Sequence, residues 1–168
     1  SGSTPPVQPG TLAFMESAAL DQLAAWMRRQ RWYGGKGTMP QPEVLATWDV
    51  PTADPEAHAS TLIVADHSVM PAAIYQVPVV SRPRSASSVL DSPHVVSADE
   101  HRVITDAPHD HAFARALLEQ ITAGPTDTAL PEVLVGEQSN TSIIFRREGE
   151  QPIIVKLFRR LHPGVNPD

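Results

Sequence analysis

The chain is 168 residues long, 41% hydrophobic and 19% charged, with a formal net charge of −6. That balance is globular, lets about 70% of the unfolded surface be buried, and gives no basic field for nucleic acid. Cysteine is absent, which excludes disulfides, thiolate metal sites, iron–sulfur clusters and a cysteine nucleophile, and no apolar run approaches the ~20 residues of a membrane span. The 17 prolines argue for many turns and few long helices. Lysine occurs only at Lys36 and Lys156. Residues 1–10, rich in Pro, Ser and Gly, read as a disordered leader or tag remnant. The expected setting is cytoplasmic, with the sequon Asn140-Thr141-Ser142 unglycosylated.

Leu12, Met15, Ala19, Leu20, Leu23, Trp26 and Met27 recur at helical spacing. They predict an amphipathic helix over 12–32, with late arginines suiting its dipole and Gly34-Gly35 as the stop. Strands are predicted over 44–50, 61–65 and 72–80, then a hairpin of 94–97 and 102–105 across the turn 98–101. Residues 81–93 read as a polar loop. A second helix is predicted over 108–123, with Pro108 in its first turn, Gly124-Pro125 ending it, and Phe113, Ala116, Leu117, Gln120 and Ile121 as its buried stripe. Three closing strands follow over 132–135, 142–147 and 152–158, the last two joined by Glu148-Gly149-Glu150. The fold class is therefore α+β, a mostly antiparallel sheet with two main helices.

The pattern richest in chemistry is the C-terminal strand–loop–strand–turn–strand. Gly136-Glu137-Gln138-Ser139-Asn140-Thr141-Ser142 is small and polar, and its amides and hydroxyls can close over phosphate oxygens. Ile153-Ile154-Val155-Lys156-Leu157-Phe158 then sets one lysine in an apolar run, where a kinase keeps the lysine that bridges α- and β-phosphates. The plainer alternative is a polar hairpin loop and an edge-strand lysine that resists aggregation.

Other polar groups favour structural readings. His109-Asp110-His111 cannot all point at one ion from a helix, so a helix cap and surface role is expected instead of a metal site. Asp99, Glu100 and His101 read as a solvated turn. Arg31, Trp32, Tyr33 and Lys36 could form a sugar platform, but a tertiary staple is favoured, with Trp32 buried and Arg31 and Lys36 paired to carboxylates. Arg146, Arg147, Arg159 and Arg160 read as a solvated hairpin face.

Together these residues resemble a family. Arg31-Trp32-Tyr33-Gly34-Gly35-Lys36-Gly37 after an amphipathic helix resembles the N-terminal cap of actinobacterial maltokinases, as do Tyr75-Gln76-Val77-Pro78 and Asp106-Ala107-Pro108-His109-Asp110. Glu137-Gln138-Ser139-Asn140-Thr141-Ser142, Val155-Lys156-Leu157-Phe158-Arg159-Arg160 and Pro163-Gly164-Val165-Asn166-Pro167-Asp168 resemble the family's phosphate loop, its nucleotide lysine and the approach to its next helix. The resemblance runs from about residue 14 to residue 168. It implies an aminoglycoside-phosphotransferase-like kinase that uses ATP and Mg²⁺ to make maltose 1-phosphate. Ser139, Asn140 and Thr141 would cover the nucleotide phosphates, and Lys156 would hold the α- and β-phosphates.

The implied organisation is a leader over 1–10, a cap over 11–104 and the start of a kinase-like N-lobe over 105–168. No H-x-D loop follows Lys156, so neither a catalytic residue nor a metal ligand is assigned in this chain. The sequence is expected to be an inactive fragment whose sugar contacts lie in a missing C-lobe. The rival readings are a kinase of another sugar, such as glucosamine, on the same cap, and a stand-alone, non-catalytic binding or assembly module. No nucleic-acid or membrane partner is expected. Val155, Leu157, Phe158 and Leu161 are expected to lack cover on one side, leaving 132–168 mobile or paired with another copy.

Overall fold

The computed structural model describes residues 16–35, 37–86, 90–122, 130–134 and 139–162. The predicted leader, Leu12, Met15, Lys36, Gly124-Pro125, residues 136–138 of the polar loop and residues 163–168 lie outside the described residues.

The fold is α+β, with two helices and antiparallel sheets. Helix α1 spans Ser17–Arg28. Strands β1 (Pro42–Val50), β2 (His58–Asp66), β3 (Ala73–Pro83), β4 (Val95–Ala98) and β5 (Arg102–Asp106) follow. Helix α2 spans His111–Thr122, and β6 (Leu130–Leu134), β7 (Asn140–Arg146) and β8 (Ile153–Phe158) form a second sheet. A two-residue strand, β9 (Arg160–Leu161), returns to the first sheet and pairs with Ile74 and Tyr75 of β3. The first sheet runs β1-β2-β3-β5-β4 and the second β6-β7-β8.

Strand periodicity sets the layers. Side chains alternate faces along a strand, so Tyr75, Val77 and Val79 of β3 join Leu62 and Val64 of β2 beneath Leu23, Trp26 and Met27 of α1. Val80 points the other way and meets Ala59, Ala107 and Phe113. Each fully buried apolar side chain of this size contributes roughly 1.5–3 kcal/mol.

Helix α2 departs from its predicted stripe. Phe113, Ala114, Ala116 and Leu118 are buried, while Gln120 and Ile121 are exposed. The reason is that α2 is covered on two sides. Phe113 faces the first sheet, and Ala114 and Leu118 face Ile143 and Phe145 of β7 with Val155 of β8 alongside. A one-face stripe cannot describe a helix held between two sheets.

The helix ends also shift. Helix α1 stops at Arg28, six residues before Gly34, where the Arg29 N–H reaches the Trp26 carbonyl at 3.1 Å and the Gln30 side chain donates to the same oxygen at 2.9 Å. Helix α2 begins after a 3₁₀ turn over Ala107–His109. Asp110 caps it: its carboxylate accepts the Ala112 N–H at 2.9 Å and its carbonyl the Ala114 N–H at 3.0 Å. Residues 81–83, read as loop, are the end of β3, because they pair with Ile104, Val103 and Arg102 of β5. The turn at Asp99 is as expected, its carboxylate accepting the His101 and Arg102 N–H groups.

Candidate functional site

The second sheet has two unlike faces. Its inner face, with Val133, Ile143, Phe145, Ile153 and Val155, packs on α2. On the other face Leu130, Leu134, Ile154 and Phe158 are exposed, at 70%, 37%, 56% and 61%. Lys156 shares that face, flanked by Ile154 and Phe158 on its own strand and paired across to Ser142. An ammonium is thus held between two exposed apolar side chains, on a face that also carries the Glu132–Arg146 ion pair.

Ser139 and Asn140 stand at the start of β7, where the Ser139 hydroxyl donates to the Asn140 side-chain carbonyl at 3.0 Å. Thr141 points to the opposite face. Its hydroxyl accepts a hydrogen bond from Arg159 Nε at 2.9 Å and it is nearly buried. Asn140 and Phe158 are register partners, so the start of β7 lies beside the end of β8, two residues beyond Lys156.

Arg159 overturns the reading of the four C-terminal arginines as one solvated face. Arg146 and Arg147 do pair near the surface with Glu132 and Glu150, but Arg159 is 1% exposed. Its Nη1 and Nη2 donate to the two carboxylate oxygens of Asp106 at 3.0 and 2.7 Å. Its guanidinium lies 5.2 Å from the centroid of the Trp32 ring. Burying a cation is tolerated when a forked carboxylate pair and further acceptors replace water. The buried pair sits where the two sheets meet, between β5, β7 and the chain leaving β8.

Trp32 is buried as the staple reading requires, in tilted ring contact with Tyr75 and edge-on to Trp26. The polar half of that staple differs from expectation. Tyr33 reaches a carboxylate, its hydroxyl donating to Asp66 at 2.6 Å, and the expected pairing of Lys36 lies outside the described residues. Tyr75 accepts the Gly34 N–H at 3.1 Å.

Of the residues expected as cap and surface, Asp110 caps α2 and His111 is exposed, while His109 is partly buried. Its ring stacks on His94 with centroids 3.5 Å apart and planes within 10°. Burial, then the His94 and Arg159 charges, lower its pKa below the ordinary 6.5, against the pull of Asp106. Among the described residues no group of three His, Asp or Glu side chains could hold a metal ion.

The residues that sequence reasoning missed are Arg159, Asp106 and Asp66. Asp106 and Asp66 each close a strand of the first sheet. A carboxylate following an apolar strand is a visible signal, but its partners lie 53 and 33 positions away.

A family model for the maltokinase N-terminal cap domain matches residues 26–110, from the last three residues of α1 through β5 to the residue that caps α2. That match spans half of the sequence, and the chain belongs to the maltokinase N-terminal cap domain family.

Proposed function

We propose that this chain is part of an ATP-dependent sugar kinase, a maltokinase that converts maltose and ATP to maltose 1-phosphate. The observation that supports the reading best is the place of Lys156. It stands on the uncovered face of β6-β7-β8 with Ile154 and Phe158 on either side, close in register to Asn140 and Ser142. Exposed apolar side chains suit a nucleobase, and an adjacent ammonium suits its α- and β-phosphates. Ser139 and Asn140 would add donors to the phosphates, and Thr141 would order the loop from behind. The cap would extend over 11–104 and the kinase-like lobe would begin at 105. Mg²⁺ enters with the nucleotide. The residues named here would act on the nucleotide, and among the described residues none is assigned to the metal.

The test is Lys156→Met in the intact kinase, with maltose and glucosamine compared as acceptors. Loss of aligned phosphate contacts should cut turnover by roughly 10²-fold or more while the fold survives, since Met fills a similar volume. Near-normal turnover at saturating ATP would remove Lys156 from the site. The 168-residue chain alone should show no sugar-dependent ATP consumption, because phosphoryl transfer also needs a base and metal-binding carboxylates.

A further inference from the structure

We propose that Arg159 is a positioning residue that sets the phosphate-facing ends of β7 and β8 from the first sheet. The proposal rests on the nucleotide reading above and concerns how that site is held. Arg159 bridges the two sheets twice. Through its backbone, its N–H donates to the Ser139 carbonyl at 3.1 Å, and its own carbonyl accepts the Gln76 N–H of β3 at 2.6 Å. Through its side chain, it holds Thr141 at 2.9 Å on one side and Asp106 at 2.7 and 3.0 Å on the other. Gln76 adds a side-chain bond to the Phe158 carbonyl at 3.1 Å.

The consequence is geometric. Ser139 and Thr141, on either side of Asn140, both hang on Arg159, Ser139 through its backbone and Thr141 through its side chain. That side chain is oriented by groups outside the second sheet. The Asp106 fork is planar and bidentate, so it fixes the guanidinium in orientation as well as in place. The Trp32 ring closes the remaining side. Lys156 lies about 10 Å of extended strand from Arg159, so a tilt at Arg159 moves the ammonium against the phosphates. Displacements of about 1 Å at such groups can cost roughly 10²-fold in rate.

The experiment uses the intact kinase with Asp106→Asn, which keeps volume but removes the charge that orients the fork. Asp106 is not assigned to the phosphates, so the variant does not delete a nucleotide contact. The expected result is an ATP KM raised, or a kcat lowered, by about 10-fold, with the sugar KM unchanged and the unfolding temperature recorded separately. Trp32→Phe should move the ATP constants in the same direction by less, and it carries the test if Asp106→Asn does not fold. A folded variant with a lower unfolding temperature and unchanged ATP constants overturns the proposal and leaves a structural latch. Lys156→Met run alongside separates the two readings. If it abolishes turnover while both other variants keep normal ATP constants, positioning fails and the nucleotide site stands. If it keeps turnover, the nucleotide reading fails and this proposal with it.

Discussion

The Tyr33 hydroxyl donates to Oδ2 of Asp66 at 2.6 Å, joining the segment after α1 to the end of β2. Oδ1 of the same carboxylate accepts the N–H groups of Gln41 and Ser68 at 2.9 and 3.0 Å. Burial pushes the Asp66 carboxyl up, but the bonds from Tyr33, Gln41 and Ser68 outweigh it and hold the group below the ordinary 3.8. A carboxyl held lower in the folded state than in the unfolded chain contributes stability above its unfolded value. That stability is lost as pH falls through the folded value. Tyr33→Phe should cost about 1–3 kcal/mol at neutral pH and soften the acid limb of the stability curve. Urea unfolding of both proteins between pH ~3 and ~7 checks it. Parallel curves would show that the bond adds nothing to the low pKa.

A second pH dependence comes from His109, whose ring stacks on His94. The pKa of His109 is lowered from 6.5 on folding, first by burial and then by His94. As pH falls past 6.5, the unfolded chain takes up this proton before the folded one does. His109 therefore costs no stability above that value, and the cost grows below it until the folded pKa is reached. His109→Gln should flatten the loss of melting temperature between pH ~6.5 and ~5. An unchanged slope would place the titrating group elsewhere.

Gly35 and Gly37 differ in what they would meet. A Cβ on Gly35 would lie 2.5 Å from the Tyr33 hydroxyl oxygen, whereas one on Gly37 would meet nothing within 4 Å. The Tyr33 ring cannot swing away without breaking its bond to Asp66. Gly37 carries only the cost of its φ of +90°, roughly 1–2 kcal/mol for a residue with a Cβ. Gly35→Ala should therefore destabilise more than Gly37→Ala, and Tyr33→Phe should relieve it only in part, because ring atoms Cζ and Cε1 would still lie 2.7 and 2.9 Å from the new methyl. Chemical denaturation of the four variants decides the matter.

What the sequence shows follows the range of the interaction. The strands of both sheets are legible from β-branched runs and turn residues, and β1 to β8 overlap their predicted spans. Trp32 is legible as buried because an aromatic beside a helix end has few other uses. Arg159 is not legible. Next to Arg160 it looks like a surface charge, yet Arg160 is exposed while Arg159 is buried against Asp106. Only the return of the chain to β3, through a two-residue strand with no apolar pattern of its own, separates them. Ile121 fails for a related reason: periodicity finds a helix's apolar side but not which neighbours cover it. Lys156 was legible as unusual from its place in an apolar run, and the structure adds the face on which it stands.

The uncovered face of the second sheet carries the last prediction. The sequence suggested that the strands around Val155, Leu157 and Phe158 would lack cover. That is corrected for Val155, which packs with Ala114 and Leu118, while Leu161 pairs with Ile74 through its backbone and stays partly exposed. It holds for Phe158, 61% exposed, with Ile154 and Leu130 on the same face. Exposed apolar surface costs roughly 25 cal/mol per Å², and contiguous patches of this kind drive association. Lys156, with the Glu132–Arg146 pair on the same face, opposes it, because charges on a sheet face resist stacking on another copy. Ile154 and Phe158 still flank Lys156 on β8, with Leu130 and Leu134 exposed on β6, so association should win at high protein concentration. The 168-residue chain should therefore sediment as more than a monomer at ~10 mg/ml. Raising the salt should not disperse it, since salt screens the lysine and leaves the apolar contact intact. The double variant Ile154→Ser, Phe158→Ser should return it to monomer without loss of secondary structure, as both side chains point away from the core. A monomer at every concentration, or an association untouched by that double variant, would show that this face does not pair.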